Sequence, residues 1–190
     1  MPDETSVRSD AQRNRDRILK VALAELTRSA DVPMSMIAKK AGVGQGTIYR
    51  HFPDRNALIL EIYRHEMQQI ADLAPELLKT RPPDQALREW MDHLACYAIA
   101  KAGLADAVRQ AATAPGSPGT PGHAPMLAAA DLLLRAAEKA GTIRPGVTAD
   151  DFFLAVAGLW QLDADAEWQP RLTWVLDLVM DGLRTGAPKH

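Results

Sequence analysis

Apolar residues recur at helical spacing along most of the chain. Ile18, Ala22 and Leu26 follow one another at intervals of four, and later segments repeat the pattern. Because residues three or four apart lie on one face of an α-helix, this spacing predicts amphipathic helices. Alanine and leucine outnumber valine and isoleucine 54 to 17, which favours helix over sheet. We therefore predict an all-α fold with helices over 10–29, 54–73, 87–97, 126–141, 148–162 and 167–185.

The 13 prolines interrupt this pattern and mark predicted boundaries, because proline is poorly tolerated inside a helix. The Asp54 carboxylate can cap the first turn of the 54–73 helix, and Pro75 follows its predicted end. Residues 114–122 lack helical periodicity and are rich in proline and glycine, so they predict a mobile loop. The residues of 114–125 leave open whether this loop is a lid over a cavity or an unconstrained insertion.

The segment 33–55 predicts two short helices around a tight turn. Ala38 is small enough for two helices to cross there, and Gly42, four positions later, tolerates a positive φ. Apolar anchors stand at Ile37, Val43 and Ile48. This spacing is typical of a helix-turn-helix, whose second helix, about residues 45–52, would lie in the major groove of DNA.

An αα-hairpin with a glycine cap is the plainer interpretation of the same segment. The composition of its second helix argues against that alternative, because only Ile48 and Phe52 are available for a core. The remaining side chains are mostly polar and suit phosphates and base edges.

The run AGVGQGTIYRHFPDRNAL, residues 41–58, resembles the signature of the tetracycline-repressor-like (TetR) family. The resemblance is specific over residues 10 to about 65, whereas beyond them only the helical layout is similar. It implies an N-terminal three-helix DNA-binding domain over 1–55. It also implies a larger helical domain over 56–190 that binds a ligand and forms a dimer.

The resemblance assigns roles to individual positions of the motif. The phosphate-contacting positions correspond to Thr47, Tyr49, His51 and Arg55, where Arg55 replaces a usual lysine. The base-reading positions correspond to Gln45, Gly46 and Arg50, and Ser35 completes the predicted DNA-binding set. Two departures concern helix capping, because Pro33 and Gly44 replace residues with capping hydroxyls.

Charge is unevenly distributed along the chain. Residues 1–65 carry 11 Lys and Arg against 8 Asp and Glu, whereas residues 66–190 carry 11 against 16, so the net charges are +3 and −5. Five cations within thirteen residues near the start of the chain fit either a phosphate-facing segment or a solvated helix face: Arg8, Arg13, Arg15, Arg17 and Lys20.

A helix-turn-helix monomer reads few base pairs, so we expect a homodimer on double-stranded DNA. Its predicted interface consists of apolar residues of the last two helices: Phe153, Val156, Leu159, Trp160, Trp174, Val175, Leu178, Val179 and Leu183. A cavity for an unknown small apolar or aromatic effector is predicted at Trp90, Met91, Leu94, Tyr97, Leu104, Leu133 and Trp160. Both sets also suit a plain monomer core.

Other functional classes are less well supported. His93 and Cys96 could share a helix face as metal ligands or as a base and nucleophile, but we expect a buried Cys96, no enzyme, no cofactor and no metal. No segment predicts a signal peptide or a membrane span, so we expect a cytoplasmic protein with no membrane partner. A helical protein-interaction module that keeps the helix-turn-helix only as a scaffold is the alternative, and the retained cations argue against it.

Overall fold

The computed structural model describes residues 4–29, 31–100, 102–115, 123–157 and 168–186. Within these ranges every regular element is helical, and the all-α prediction is confirmed. The helices in chain order are α1 (Glu4–Arg28), α2 (Met34–Lys40), α3 (Gln45–His51), α4 (Arg55–Thr80), α5 (Pro83–Ala100), α6 (Ala102–Thr113), α7 (His123–Lys139), α8 (Ala149–Val156) and α9 (Trp168–Arg184).

The chain forms two compact units that interleave in sequence. The first unit comprises Met1–His65 and Ala102–Pro121, and the second comprises Glu66–Lys101 and Gly122–His190. The first unit therefore extends beyond the 1–55 segment predicted from the motif. Leu58 at the start of α4 and Leu104 in α6 explain this difference, because both belong to the core around α1, α2 and α3.

Helix α6 was not among the predicted helices, although its sequence carried a signal. Leu104, Val108 and Ala111 recur at intervals of four and three, and all three are buried in the core of the first unit. The helix packs against α1. Its apolar spacing was therefore sufficient for a prediction, despite the short distance to the proline-rich segment that follows.

Helix α4 corrects the prediction that a helix ends near residue 73. It continues through Pro75 to Thr80. An interior proline removes one backbone hydrogen bond. Pro75 is exposed, whereas Ala74 and Leu77 beside it are buried, and this apolar burial maintains the helix on both sides of the proline.

Several predicted helix ends are confirmed by their hydrogen bonds. The Ala57 N–H donates to Asp54 Oδ1 at 2.8 Å, so Asp54 caps α4 as expected. Gly141 has φ +68°, and the Thr142 N–H donates to Ala137 O at 3.0 Å, which closes the end of α7. At the start of α8, Thr148 and Asp151 bond each other's backbone N–H in a capping box.

The second unit is held by an aromatic core and by ion pairs between α5 and α9. Trp90 is fully buried, and its indole N–H donates to Ile70 O at 2.8 Å. Its ring lies 6.2 Å from that of Phe152. At the surface, Arg88 Nε lies 3.0 Å from Asp177 Oδ1 and Arg184 Nη2 lies 3.1 Å from Asp84 Oδ2.

Candidate nucleic-acid interface

The turn between α2 and α3 has the predicted geometry. Gly42 adopts φ +64°, a backbone conformation that side chains other than hydrogen disfavour. Its N–H donates to Lys39 O at 3.2 Å, and the Val43 N–H donates to Ala38 O at 3.0 Å. These two bonds satisfy the last carbonyls of α2 and fix the direction in which the chain enters α3.

Helix α3 is anchored on one side and open on the other. Ile48 is 0% exposed and Phe52, which ends the helix, is 1% exposed. Tyr49 is 49% exposed despite its large ring. The other residues on the open side, all of them exposed, are Gln45, Gly46 and Arg50. The helix thus has a buried anchor and a polar outer surface, as the sequence predicts.

The remaining predicted DNA-binding residues lie in α2, within α3 itself and at the start of α4. Ser35, in the first turn of α2, is exposed, whereas Thr47, His51 and Arg55 are half-buried. The His51 ring lies 6.2 Å from that of Phe52, next to the buried anchor. Met36, which the prediction did not include, is 44% exposed beside Ser35.

Neither helix of the motif has a side-chain cap. Pro33 precedes α2 and Gly44 precedes α3, and neither position makes a side-chain hydrogen bond to the helix. The Thr47 N–H donates instead to Gly44 O at 2.9 Å. A Cβ atom at Gly44 would lie 3.9 Å from Thr47 Oγ1, in ordinary van der Waals contact, so a capping serine would fit there.

Arg15 has a structural role that its position in the cationic cluster did not reveal. Its Nη2 lies 2.6 Å from Glu61 Oε1 in α4, and its guanidinium lies over the Phe52 ring, 4.9 Å from the centroid. Burial alone would raise the pKa of Glu61, but hydrogen bonds from Arg64 and Arg15 outweigh it and lower that pKa. Arg15 therefore links α1 to α4 and to the end of α3.

Glu25 makes a second link that the sequence analysis missed. It is 9% exposed on α1, and its Oε2 lies 2.7 Å from Lys40 Nζ at the end of α2. Arg28 Nη1 lies 3.6 Å from the other carboxylate oxygen. The pairing of Glu25 with Lys40 holds the first helix of the motif against α1.

The other cations of α1 remain at the surface. Arg13, Arg17 and Lys20 are exposed, and Arg17 Nη2 donates to Asn14 Oδ1 at 2.7 Å. The side chain of Arg8 lies outside the described residues. Except for Arg15, the described part of the cluster is thus a cationic surface of α1, the helix that packs against α2.

Comparison with known proteins identifies the family to which this site belongs. Residues 18–62 match the profile described as bacterial regulatory proteins, tetR family, and residues 82–185 match the C-terminal domain of SbtR-like transcriptional regulators. The chain belongs to the TetR family of transcriptional regulators. The resemblance inferred from the motif is confirmed, and it now extends over most of the chain.

Two solved structures of TetR-family regulators are similar over nearly their whole length. One, from Streptomyces coelicolor, is 39% identical with a TM-score of 0.75, and the match covers 91% of this chain and 99% of the other. The second, from Mycobacterium vanbaalenii, is 36% identical with a TM-score of 0.68, covering 94% and 99%. Both resemblances include the two units of the fold.

A curated relative is similar over a shorter segment. An HTH-type transcriptional regulator of Staphylococcus aureus is 37% identical over 75 residues, which span 35% of this chain and 40% of the relative. The chain therefore aligns with less than half the length of that relative.

In this TetR-family chain, the residues predicted for a dimer interface divide between the surface and the core. Trp174 is 65% exposed and Leu178 is 57% exposed, whereas Leu183 and Val156 are buried. Phe153, Val175 and Val179 are half-buried, and Leu159 lies outside the described residues. Leu154, which the prediction omitted in favour of its neighbour Phe153, is 78% exposed.

The residues predicted to line an effector cavity do not all belong to one unit. Tyr97 is half-buried in the second unit. The residues of the set that are buried in that unit are Trp90, Met91, Leu94 and Leu133. Leu104 belongs to the core of the first unit, and Trp160 lies outside the described residues. The Phe153 ring is 6.4 Å from that of Trp90 and 6.5 Å from that of His123, which is exposed.

The described part of the chain lacks two other kinds of functional feature. It contains no cluster of three or more His, Cys, Asp or Glu residues able to hold a metal ion. None of its helices combines the length and hydropathy required to cross a membrane. Cys96 is exposed, so the prediction that it is buried was wrong, because the buried side of α5 passes instead through Leu87, Met91 and Leu94. The proline-rich residues 116–122 lie outside the described ranges.

Proposed function

We propose that this TetR-family regulator is a cytoplasmic repressor that binds a palindromic operator as a homodimer and is released by a small apolar or aromatic effector. The observation that carries the DNA-binding part is the arrangement of α3. Ile48 and Phe52 anchor the helix, while Tyr49 and Arg50 point away from the core with large exposed side chains. A helix held in this way can enter the major groove without losing its packing.

Each exposed side chain of α3 has a chemistry that suits part of a duplex. Arg50 can donate two hydrogen bonds to guanine and Gln45 can pair with adenine. The Tyr49 hydroxyl can donate to a phosphate oxygen. Gly46 has open space at its missing Cβ, so its backbone can approach the groove. The exposed cations Arg17 and Lys20 of α1 add attraction for the phosphates.

The proposed dimer is supported by the apolar surface of the last two helices. Leu154 in α8 and Trp174 and Leu178 in α9 are all more than half exposed. Trp174 and Leu178, four residues apart, share one side of α9, and large apolar side chains exposed together mark an interaction surface in a soluble protein. Two reading helices on one face of a duplex lie about 34–36 Å apart, and a symmetric dimer can supply that spacing.

A selection of bound duplexes from random DNA tests this function. The enriched duplex is then titrated by fluorescence anisotropy at about 50 and 200 mM salt, and a protein with six to ten phosphate contacts should lose about 10³–10⁵-fold in affinity. The Arg50→Ala variant should lose about 1–3 kcal/mol of binding free energy and relax the preference at one base pair. Tyr49→Phe isolates the contribution of the hydroxyl.

Arg135→Ala provides a matched control for the arginine variant. Arg135 is exposed on α7 and pairs with Asp131 at 2.9 Å, so its removal changes net charge equally without touching the motif. Equal losses of operator affinity in the Arg50 and Arg135 variants would show that the loss comes from net charge and not from a contact of Arg50. Absence of any enriched duplex, with weak binding at both salt concentrations, would favour the protein-interaction scaffold instead.

The effector part of the proposal rests on the aromatic groups of the second unit. Phe153 is half-buried and lies between the buried Trp90 and the exposed His123, so this aromatic group reaches from the core to the surface. A compound that releases the operator must bind the DNA-free protein more tightly than the DNA-bound protein. Operator DNA must then lower the affinity for the compound by the same factor by which the compound lowers the affinity for the operator. Titrations of a candidate compound with and without operator measure both factors. Tight binding that leaves operator affinity unchanged would contradict release by that compound.

A further inference from the structure

Helix α9 has a second apolar side with opposite charges at its ends. Leu172, Leu176 and Met180 face the core of the second unit and are at most 4% exposed. A different stripe of the helix is exposed, and its four positions fall within about 80° of one another at 100° per residue. In order they are Arg171, Trp174, Leu178 and Asp181.

The charges on this stripe differ from the other charges of the helix. Asp177 and Arg184 form ion pairs with Arg88 and Asp84 of α5, so they serve packing within the chain. Arg171 and Asp181 lie on the exposed stripe. The Asp181 carboxylate is 75% exposed and lies 3.9 Å from Arg184, which leaves it open to a stronger partner.

The spacing of the stripe is symmetric about one level of the helix. Arg171 and Asp181 each lie five positions from residue 176, on opposite sides of it, and Trp174 and Leu178 each lie two positions from it. A two-fold axis perpendicular to the helix at that level would place each residue opposite its counterpart in a second copy. Cation then meets anion, and tryptophan meets leucine.

We infer that α9 packs antiparallel on α9 of a second copy, crossing near residue 176, with Arg171 paired to Asp181 of that copy at both ends. The inference rests on the proposed dimer and adds its register and its specificity residues. Each charged residue lies about 7.5 Å along the helix axis from the crossing point. At a modest crossing angle the two helices are still close together at that level, so the long Arg171 side chain can reach Asp181 of the second copy. A parallel arrangement would instead set arginine against arginine and aspartate against aspartate.

Charge reversal tests this register without endangering the fold. Arg171→Glu places an anion near the start of α9 and Asp181→Arg places a cation near its end, and both suit the helix dipole. In each single variant both intermolecular pairs become like-charged, so the dimer dissociation constant should rise roughly tenfold or more in low salt. Sedimentation equilibrium over a concentration series measures this constant.

Mixing the two variants supplies the decisive comparison. In a mixed dimer, Glu at 171 of one chain faces Arg at 181 of the other, and the wild-type pair forms at the opposite end. Affinity should return to within about threefold of wild type, and the R171E/D181R double variant should recover as a homodimer. Arg135→Glu on α7 is the control reversal and should leave the dissociation constant unchanged.

The outcomes separate the register from the proposed function. A wild-type chain that stays monomeric at micromolar concentration would overturn both the dimer and the register. A wild-type dimer whose dissociation constant ignores the single reversals would overturn the register alone. If the single reversals weakened the dimer and the mixture did not recover, the register would also be wrong. Arg171 and Asp181 would then not pair with each other across the interface.

Discussion

The two units of the chain expose different chemistry on helices that are each anchored by a fully buried residue. In the first unit, Ile48 anchors a helix whose outer side carries Tyr49 and Arg50. In the second, Leu176 anchors a helix whose outer side carries Trp174 and Leu178. A polar, cationic surface suits a hydrated polyanion, whereas an apolar one is stable in water only when another apolar surface covers it. The contrast supports the proposal that the first unit binds DNA and that the second packs on another protein chain.

The largest effect is expected when the exposed apolar surface of α9 is made polar. Trp174→Ser with Leu178→Ser should abolish the dimer while leaving the core side of α9 intact. Because the two reading helices would no longer bind as a linked pair, operator affinity should fall by about 10²–10⁴-fold, although no DNA contact has changed. Sedimentation and operator titration of the same sample measure both effects.

The control for the double serine variant uses another exposed apolar residue. Leu132 is 42% exposed on α7, and Leu132→Ser should leave both the mass and the operator affinity unchanged. If the double variant stayed dimeric, or became monomeric with full operator affinity, the proposed assignment of DNA binding to the first unit and dimerisation to the second would be wrong.

A smaller effect is expected inside the first unit, where Arg15 pairs with Glu61 instead of lying on the cationic surface of α1. Arg15→Gln removes the ion pair with Glu61 and the contact over Phe52, and it should cost about 1–2 kcal/mol of unfolding free energy at neutral pH. Denaturant unfolding followed by circular dichroism measures this loss. Arg17→Gln, which removes an exposed arginine from the same helix, should cost less than about 0.5 kcal/mol.

The pH dependence of the Arg15 effect follows from Glu61. The folded protein holds the pKa of Glu61 below its ordinary value. A carboxylate with a lowered folded pKa contributes stability above its unfolded pKa, about 4.3, and loses it as the pH falls through the folded value. The difference between wild type and Arg15→Gln should therefore be complete at pH 7 and shrink below about pH 4.3. A difference that stayed constant down to acid pH would exclude this pair as its source.

The sequence predicted the features that depend on near neighbours. Ala38, Gly42 and Ile48 lie within a few residues of one another, so the turn and the anchored helix follow from local spacing. The pair of Arg15 with Glu61 was not predictable, because it depends on how α4 packs against α1. The continuation of α4 through Pro75 shows the same limit, since burial of the neighbouring residues outweighs a local rule.

The second unit was predicted less completely for a related reason. Helical spacing located the apolar stripes of α8 and α9, but it could not decide which stripe faces the core. Phe153 was predicted for the interface, whereas its neighbour Leu154 is the more exposed of the two. That choice depends on contacts of α8 with α7 and α9.

A further prediction separates helix stability from DNA affinity at Gly46. Replacing this glycine by alanine should stabilise α3 by about 0.5–1 kcal/mol, because the unfolded chain loses freedom and the added Cβ meets nothing within 4 Å. Operator affinity should nevertheless fall if the backbone approaches the groove at this point. Denaturant unfolding and anisotropy titration give the two values, and a variant that gained both would show that Gly46 does not lie against DNA.

The smallest effect concerns the missing cap of the same helix. At Gly44, a serine hydroxyl can accept the Thr47 N–H, and the substitution should raise the unfolding free energy by a few tenths of a kcal/mol. Gly44→Ala fits the same space without an acceptor and should lower it, since alanine is a poor cap. Because a better-ordered α3 loses less freedom on binding, operator affinity should follow the same order, serine above glycine above alanine. If serine and alanine shifted stability in the same direction, backbone freedom at residue 44 rather than capping would limit the order of the DNA-reading helix.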